Sequence, residues 1–504
     1  MNLAGLIDSN ARKSPDKDCL RTQGKGYSYQ TVKELAEKAA GLFQGWGIKK
    51  GDKVAIMSQN TPGFVIAFFG IAKAGATVVP INHKLMPPEV DYILEHSESK
   101  VFLFDGSLVE VAAKLSTKVK MICMDSPAEG FEQFEPLLDT APSFSPVEIS
   151  DDDLAEILYT SGTTGKPKGC MHTHRGVIMA GITLAMGCKF DESDRIMMAM
   201  PLWHSSPLNN WFIGIQYIGG TMVMIREYHP LYFLQTIQEE KCTAFFGAPI
   251  AFTMPVRMIP SFDEFDLSSM RVWMYGGGPI PADTALMLMD KYKSDNFYQC
   301  YGMTEAGPTG TVLFPKDQVS KAGSIGRSGL PGCDVRVMKT DVESVKPGEV
   351  GEIWLKADSI MKGYYKDPEA TAEVFCDNWY KTSDLARVDE DGYLFIADRT
   401  KDMIITGGEN VYSKEVEDAI GAHPDVVEVA VIAIPHPEWG ETVGAVMVPA
   451  KDKELTSDLL NSFLADKLAK FKIPKAYKFV DELPHTASGK IMKYKLREEY
   501  KINP

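Results

Sequence analysis

The chain has 504 residues, of which 44% are hydrophobic and 24% are charged, the composition of a globular protein with more than one domain. Its 53 Lys and Arg residues and 68 Asp and Glu residues give a net charge of −15. This acidic balance argues against nucleic acid as the main partner, because binding to a phosphate backbone needs a basic surface.

The cysteines and the chain ends indicate a cytoplasmic protein. The eight cysteines form no CxxC or Cys/His cluster, which predicts reduced thiols rather than disulfides or a zinc site. The first residues lack the apolar core of a signal peptide, and the last four, KINP, are not a peroxisomal SKL signal. The longest apolar stretch, residues 211–225, is too short to cross a bilayer, so we expect no membrane span.

Residues 1–150 alternate between helical and strand patterns. Helical spacing covers residues 31–43 and 64–74, and short apolar runs predict strands at 53–57, 78–81 and 101–104. Alternation of this kind favours a mostly parallel sheet covered by helices on both faces. Ligands of such sheets bind beyond the carboxyl ends of the strands.

A predicted strand at residues 154–159 leads into the run YTSGTTGKPKG at 159–169. Its glycines allow a close backbone approach, and its hydroxyls, backbone N–H groups and lysines suit a polyphosphate. It is not a Walker loop, because Lys166 is followed by Pro167 instead of Ser or Thr. The alternative interpretation is a mobile surface linker.

Four further strands are predicted, at residues 195–200, 243–249, 272–275 and 296–301. The first ends in Pro201-Leu202-Trp203-His204, which places an indole and an imidazole at the sheet edge. A structural histidine is the alternative interpretation of His204.

Polar or glycine-rich segments follow the last two of these strands. Gly276-Gly277-Gly278-Pro279 permits a flat ligand to lie on bare backbone, or makes a simple turn. In Gly302-Met303-Thr304-Glu305, the carboxylate of Glu305 suits Mg²⁺. The alternative for Glu305 is an acid at a helix N-terminus.

The remaining chain predicts a β-rich segment and then a small domain. Residues 323–397 hold short β runs and Asp384, which could accept hydrogen bonds from a sugar diol or cap a turn. The charged residues 398–402 indicate a domain boundary.

After this boundary the strand and helix pattern restarts. We predict a helix at 413–420 capped by Ser413, strands at 426–434 and 443–448, and a helix at 455–468. A polar loop at 484–490 then displays Lys490, whose default interpretation is a solvated lysine. Roughly 100 residues with their own core make a separate α+β domain.

Taken together, the motifs resemble the adenylate-forming superfamily of acyl-CoA synthetases, luciferases and peptide-synthetase adenylation domains. The motifs that carry the resemblance occur in the same order and spacing over nearly the whole chain: YTSGTTGKPKG, PLWH, YGMTE, the TSD run ending at Asp384, DRTKDMI, GGENVYSKEVE and PHTASGK. The chain is most similar to an AMP-forming acyl-CoA synthetase.

The resemblance implies an α/β fold in two parts. A large N-terminal domain, residues 1–398, would contain layered, mostly parallel sheets with helices and a β-rich subdomain at 323–398. A hinge at 399–402 would lead to a small, mobile α+β C-terminal domain at 403–504, which rotates between half-reactions.

The resemblance also implies a role for individual residues. Thr304, Glu305, His204 and Lys490 would be catalytic, with Lys490 bridging the substrate carboxylate and the α-phosphate. Mg²⁺ would be bound by Glu305 and Thr160. The ATP-binding residues would be Thr160, Ser161, Gly162, Thr163, Thr164, Gly165, Lys168, Gly276, Gly277, Gly278, Pro279, Tyr301, Gly302, Asp384 and Arg399.

Two more sets follow from the same resemblance. The hinge and coenzyme A site would contain Lys401, Gly407, Gly408, Glu409, Trp439, Phe471 and Lys472. The acyl site would be lined by His204, Trp203, Trp211, Phe246, Cys300 and Met303.

Three positions depart from the pattern of the superfamily. Ser383 replaces the usual glycine before the ribose-binding Asp384, and we expect little effect because serine is small. Ser413 replaces a common proline. Ile473 lies where some relatives carry an arginine near the CoA phosphate, which weakens the assignment of the CoA nucleotide site.

The implied function is an ATP-dependent, AMP-forming carboxylate–CoA ligase. It would form an acyl adenylate and pyrophosphate, and CoA would then attack the adenylate. No general base is needed, because the attacking carboxylate is already ionised at neutral pH. The substrate would be an apolar medium-chain, alicyclic or aromatic acid, as in fatty acid metabolism, with ATP, Mg²⁺ and coenzyme A.

The sequence leaves open three alternatives to the CoA ligase function. The chain could load a separate carrier protein, although no carrier domain follows Lys490, or catalyse a luciferase-like oxidation. A non-catalytic acyl-adenylate-binding protein is opposed by the presence of Lys490, Glu305 and Asp384. The sequence also leaves open whether the protein forms a homodimer.

Overall fold

The computed structural model describes residues 1–160, 167–278, 280–406, 409–436, 439–485 and 490–499. The chain divides into two compact units. Met1–Val335 and Leu355–Tyr380 form the first unit, and Arg336–Trp354 and Lys381–Pro504 form the second. Within the described ranges, no helix has both the length and the hydropathy needed to cross a bilayer.

The α-helices are spread over both units. In chain order they are α1 (Leu3–Lys13), α2 (Tyr29–Gly45), α3 (Pro62–Lys73), α4 (Pro87–Ser97), α5 (Val109–Ala112), α6 (Phe134–Asp139), α7 (His174–Gly187), α8 (Ile213–Ile218), α9 (Pro230–Glu240), α10 (Pro249–Met258), α11 (Ala282–Tyr292), α12 (Pro368–Glu373), α13 (Ser413–Gly421), α14 (Ser457–Leu464) and α15 (Lys493–Glu499). A π-helix at Ser206–Phe212 precedes α8, and a 3₁₀ turn covers Thr304–Ala306.

The strands of the first unit begin near the N-terminus. They are β1 (Asp18–Thr22), β2 (Lys25–Ser28), β3 (Lys53–Met57), β4 (Thr77–Ile81), β5 (Ser99–Asp105), β6 (Lys120–Met124), β7 (Glu132–Gln133), β8 (Leu154–Thr160), β9 (Lys168–Thr173), β10 (Arg195–Met198), β11 (Thr221–Met224), β12 (Ala244–Gly247), β13 (Val272–Gly276), β14 (Phe297–Tyr301) and β15 (Thr311–Leu313).

The later strands include three that contribute residues to both units, namely β16, β17 and β20. The full set is β16 (Cys333–Met338), β17 (Val350–Ala357), β18 (Gly363–Tyr364), β19 (Phe375–Cys376), β20 (Trp379–Val388), β21 (Leu394–Arg399), β22 (Ile404–Thr406), β23 (Glu409–Val411), β24 (Val426–His436), β25 (Gly440–Pro449) and β26 (Ala476–Phe479).

Two large sheets build the first unit. One has the strand order β15-β14-β13-β12-β10-β11-β1-β2, and the other has the order β18-β9-β8-β4-β3-β5-β6-β7. The central pairs, such as β3 with β4 and β12 with β13, are parallel. Antiparallel pairs occur toward the ends, as between β14 and β15. The prediction of layered, mostly parallel sheets is confirmed.

Helices cover both faces of each sheet, and the sequence of β3 shows why. Val54 and Ile56 belong to the core that β3 shares with α2, α3, α7 and α8, whereas Ala55 and Met57 face the core shared with α4. A strand buried on both faces needs a continuous apolar run, which KVAIM provides. Helix α3 lies in the middle layer and is buried on all sides.

The second unit contains a smaller sheet of order β23-β22-β25-β24, with β26 beside β25. Helices α13 and α14 pack on it through a core that includes Val416, Leu460 and Val443. Strands β20 and β21 form an antiparallel pair in which Asp384 lies opposite Arg399.

The predicted cap of α13 is wrong. Ser413 is a buried residue inside the first turn, and Tyr412 occupies the cap position without a side-chain cap bond. Asp398 instead accepts hydrogen bonds from the Ser413 backbone N–H and from Ser413 Oγ at 3.0 Å. This carboxylate satisfies a donor that the helix leaves unpaired, and its remoteness in sequence hides it from local patterns.

The compact units also differ from the predicted domain division. We assigned all of residues 323–398 to the first domain, whereas the units divide inside β16, β17 and β20. A long strand can begin in one compact unit and end in the other. The amino-acid composition does not change at such a point, so the sequence gives no sign of it. A hinge at residues 399–402 stays a prediction.

Candidate active site

A hairpin of β8 and β9 carries the phosphate-loop motif. The strands pair antiparallel, and their last pair before the loop is Thr160 with Lys168. The Thr160 hydroxyl donates to the Lys168 carbonyl at 3.5 Å. Five predicted ATP-binding residues lie outside the described residues: Ser161, Gly162, Thr163, Thr164 and Gly165.

Glu305 and Thr304 form a 3₁₀ turn just past the carboxyl end of β14. The Tyr364 hydroxyl donates to Glu305 Oε1 at 3.2 Å, and the Thr304 and Ser205 hydroxyls lie 3.0 Å apart. Burial, and next the charge of Glu305, raise the pKa of Tyr364. Its hydroxyl therefore keeps its proton and donates to the carboxylate.

Tyr364 also connects this turn to the hairpin. Its strand, β18, pairs with β9, so that Tyr364 lies opposite Cys170. The Lys168 ammonium lies 4.9 Å from the centre of the Tyr364 ring, a cation–π distance. Burial, and next the charge of Glu305, raise the pKa of the Cys170 thiol. A cation, a carboxylate and hydroxyls thus converge beside the predicted phosphate loop.

The donor set fits a magnesium ion that shares its ligands with phosphate. A carboxylate and hydroxyl oxygens are the ligands Mg²⁺ prefers. No group of three or more His, Cys, Asp or Glu side chains forms a metal cluster in the part of the chain that the structure describes. A metal held by Glu305 would therefore take its remaining oxygens from phosphate and water.

The glycine segments form a wall at the ends of β13 and β14. Gly276 lies opposite Cys300, and a Cβ atom at Gly276 would meet Cys300 Sγ at 2.8 Å. A Cβ atom at Gly302 would meet the Pro308 carbonyl oxygen at 2.2 Å. Gly277 has a φ of +83°, which favours glycine. Close approach of neighbouring atoms thus requires glycine at Gly276 and Gly302, whereas nothing lies within 4 Å of the Cβ position of Gly277, and open space for a flat ring lies there.

The remaining residues predicted for adenine binding lie at or just after the ends of the same two strands, β13 and β14. Gly278 follows Gly277 directly, and Pro279 lies outside the described residues. Tyr301 is the half-buried last residue of β14.

Three predicted acyl-site residues come together at the same sheet edge. Trp211 is 1% exposed and stacks on Phe246 with ring centres 5.6 Å apart. Cys300 and Phe246 are partly buried against the same core, and burial raises the pKa of Cys300 to about 12. Phe246 and Cys300 therefore form an apolar surface that Trp211 supports from behind.

Trp203 and His204 lie on the turn after β10. The Trp203 indole N–H donates to His83 Nδ1 at 2.9 Å, and the rings of Trp203 and His204 are 5.7 Å apart. His204 is exposed. Met303 does not join the Trp211 group, because it packs on a different cluster that contains Cys170 and Tyr364.

In the second unit, Asp384 and Arg399 are brought together. Asp384 is 6% exposed, and Arg399 Nε donates to its Oδ1 at 3.0 Å. Ser383, which replaces the usual glycine, has a φ of +60°. The left-handed backbone explains why glycine suits this position. Lys401, the predicted hinge residue, is exposed.

The predicted coenzyme A residues lie at several places in the second unit. The rings of Trp439 and His436 stack with their centres 4.2 Å apart. Glu409 is exposed at the start of β23. Phe471 is exposed, and the ammonium of Lys472 lies 2.7 Å from Glu415. Gly407 and Gly408 lie outside the described residues.

Lys490 is exposed and lies between two elements of the second unit. Residues 486–489 before it lie outside the described residues, whereas Ile491 after it forms a bridge with His485. The backbone is thus fixed on both sides of the loop that carries Lys490.

Several residues of the site could not be recognised from the sequence. Three of them contact residues that the sequence did predict for the site: Tyr364, Ser205 and His83. Each is far from its partner in the sequence. Of these three, only Ser205 could have been found from a local pattern, because it directly follows the PLWH motif.

Comparison with known proteins places these features in a family. The family model described as AMP-binding enzyme matches residues 7–365, and the model of its C-terminal domain matches residues 415–490. The feruloyl-CoA synthase of an Amycolatopsis species is 36% identical over 492 residues, which is 97% of each chain. The long-chain-fatty-acid–CoA ligase FadD13 of Mycobacterium tuberculosis is 36% identical over 475 residues, covering 94% of this chain and 93% of the relative.

A solved structure extends the similarity to a ligand complex. The o-succinylbenzoate coenzyme A synthetase of Bacillus subtilis, in complex with ATP and magnesium ion, has a TM-score of 0.86 and is 28% identical. The match covers 97% of this chain and 98% of that chain.

Proposed function

The chain belongs to the family of AMP-binding enzymes and is an AMP-forming acid–CoA ligase, and we propose that it ligates an apolar carboxylic acid to coenzyme A. The co-substrates are ATP and coenzyme A, and Mg²⁺ accompanies ATP. The observation that supports this proposal is the apolar surface of Phe246 on β12 and Cys300 on β14. Strand β14 leads directly to the turn of Thr304 and Glu305. Because this surface is apolar, we propose a medium-chain, alicyclic or aromatic acid as the substrate.

The first step brings two anions together. The acid's carboxylate attacks the α-phosphorus of ATP, which forms the acyl adenylate and releases pyrophosphate. We propose that Thr160, Lys168 and the loop between them hold the departing phosphates. Positioning and neutralisation of charge account for catalysis of this kind.

Magnesium would be held by Glu305 and Thr160. It would neutralise charge on the phosphates and orient them for in-line displacement. The Tyr364 hydroxyl fixes the carboxylate of Glu305 by its hydrogen bond, and Ser205 positions the hydroxyl of Thr304 in the same way.

We propose a role for each of the residues that were predicted to bind the nucleoside. Gly276, Gly277, Gly278 and Tyr301 would frame the adenine, and Asp384, oriented by Arg399, would accept the ribose hydroxyls. The carboxylate of Asp384 suits a diol because each of its oxygens can accept a hydrogen bond.

The C-terminal region would serve the two steps in turn. We propose that Lys490 neutralises charge during adenylation, and that rotation about residues 399–402 then presents Glu409 and Trp439 to coenzyme A. In the second step the thiol of coenzyme A attacks the acyl carbonyl and AMP leaves.

One assay tests the proposal. The purified protein is incubated with MgATP and a panel containing octanoate, cyclohexanecarboxylate, benzoate, cinnamate and ferulate, with and without coenzyme A, and pyrophosphate, AMP and acyl-CoA are measured. CoA-dependent AMP release with at least one acid is the expected result. Absence of AMP release with every acid would overturn the choice of an apolar substrate. If a thioester formed only on a carrier protein, that protein and not CoA would be the acyl acceptor.

A further inference from the structure

Glu156 and Asn209 form a buried polar contact that the proposed reaction does not use. Both residues are 0% exposed. Asn209 Nδ2 donates to Glu156 Oε1 at 2.5 Å. Glu156 lies in β8, the strand that ends at Thr160, whereas Asn209 lies in the π-helix Ser206–Phe212.

The contact fits a neutral acid paired with an amide. Burial raises the pKa of Glu156 to about 8, so the carboxyl group keeps its proton near neutral pH. Glu156 Oε2 and Asn209 Oδ1 have no hydrogen-bond partner among the described residues. A proton on Oε2 can be donated to Oδ1, which would make the pair reciprocal and remove the cost of two unsatisfied buried atoms.

The position of the pair links two parts of the site. Glu156 lies opposite His172 of β9, toward the end of the hairpin that is far from the phosphate loop. Burial lowers the pKa of His172 to about 4. The π-helix that holds Asn209 follows His204 and Ser205 directly in the chain. A π-helix is an uncommon conformation that occurs frequently at functional sites.

The pair also closes a ring of contacts that joins the hairpin, the Glu305 turn and the π-helix. From the hairpin, the ammonium of Lys168 contacts Tyr364, and Tyr364 donates to Glu305. In the adjacent turn, the hydroxyls of Thr304 and Ser205 lie 3.0 Å apart. The π-helix then returns to the hairpin through Asn209 and Glu156.

We infer that Glu156 and Asn209 are positioning residues that make binding of ATP at the hairpin and the placement of the acyl-site turn around His204 depend on each other. A change of the hairpin on binding phosphate would be passed to the π-helix through one short contact. Energetic coupling of this kind travels through hydrogen bonds that join rigid elements. The inference rests on the proposed function, because it assigns the two linked segments to ATP and the acid.

The test compares variants with and without the reciprocal pair. Glu156→Gln keeps it, since an amide can accept from Asn209 Nδ2 and donate to Oδ1, whereas Glu156→Leu and Asn209→Ala remove it. Gln216→Leu is the control: Gln216 is equally buried and accepts from the Cys19 thiol at 3.0 Å, outside the ring of contacts.

The measurements are KM for ATP, KM for an acid accepted in the panel, kcat and the melting temperature. We expect Glu156→Leu and Asn209→Ala to raise KM for ATP by about tenfold, the loss of one buried hydrogen bond of ordinary strength. Glu156→Gln should stay within about twofold of the unmodified protein. Gln216→Leu should lower the melting temperature with KM unchanged. Lowered stability with unchanged KM in the Glu156 and Asn209 variants would overturn the inference.

The unmodified protein provides a second readout that does not depend on variants that fold. Amide hydrogen exchange is followed with and without MgATP, with no acid present. Slower exchange in both residues 154–173 and residues 206–212 is expected. Protection of the hairpin without protection of the π-helix would overturn the coupling. Failure of the proposed function differs from both results, since the unmodified protein would then release no AMP with any acid.

Discussion

The hydrogen bond from Tyr364 to Glu305 gives the sharpest prediction about catalysis. Tyr364→Phe removes only the hydroxyl that donates to Glu305 Oε1 at 3.2 Å. A hydrogen bond to a charged group contributes about 1.5–3 kcal/mol. The distance lies just beyond the range of about 2.5–3.0 Å for O–H···O hydrogen bonds, so the lower value applies, and 1.4 kcal/mol corresponds to about tenfold in rate. We expect kcat/KM for MgATP to fall by about tenfold.

The assay is acid-dependent exchange of pyrophosphate into ATP, measured over a range of Mg²⁺ concentrations. The neighbouring residue supplies a matched control. The Tyr365 hydroxyl donates to Glu98 Oε2 at 2.9 Å, where Glu98 is largely exposed. Tyr365→Phe should therefore change the exchange rate by less than about twofold. Equal rates for the two variants would refute the role assigned to the Tyr364 hydroxyl.

Three further predictions concern other parts of the molecule. Lys490→Ala should abolish adenylation but leave thiolysis of supplied acyl adenylate largely intact, and equal loss in both half-reactions would contradict this division. Gly276→Ala should raise KM for ATP, because the added Cβ would lie 2.8 Å from Cys300 Sγ; an unchanged KM would exclude adenine from this wall. The pKa of Glu156 is raised from 4.5 to about 8 by burial, so its contribution to stability is complete below pH 4.5 and is lost as the pH rises to about 8. The melting temperature should therefore fall relative to that of Glu156→Gln between pH 5 and 8 and level off above, and parallel curves would show that the carboxyl is ionised in the folded protein.

Local sequence patterns predicted the central strands well. The strand at residues 53–57 is β3 without change, and the strand at 154–159 is β8 with one residue more. Both are buried on two faces, so that apolar runs between polar turns mark their limits. The predicted strand at 195–200 ends early, at Met198, because Met200 and Pro201 already belong to the turn toward His204.

Features that depend on distant partners could not be predicted. The start of α13 depends on Asp398, which local capping rules do not detect. The predicted helix at 455–468 begins later for a local reason instead: Thr456 is its N-cap and accepts a hydrogen bond from the Leu459 N–H at 3.3 Å, a pattern that capping rules cover. The helix ends at Leu464. The individual motifs of the site were visible in the sequence, but Tyr364 and Glu156 become part of it only through β-sheet pairing and a tertiary contact.

The left-handed backbone at Ser383 bears on how such sequences are recognised. A side chain in this conformation costs about 1–2 kcal/mol relative to glycine. Glycine, however, gains more conformational freedom in the unfolded chain, which costs about 0.5–1 kcal/mol on folding. The two penalties offset each other only in part and leave about 0.5–1 kcal/mol against serine, so the position before Asp384 can exchange glycine for serine at a small cost in stability. A pattern search that demands glycine there would therefore pass over this chain, although the carboxylate that follows is held by Arg399 on the same strand pair.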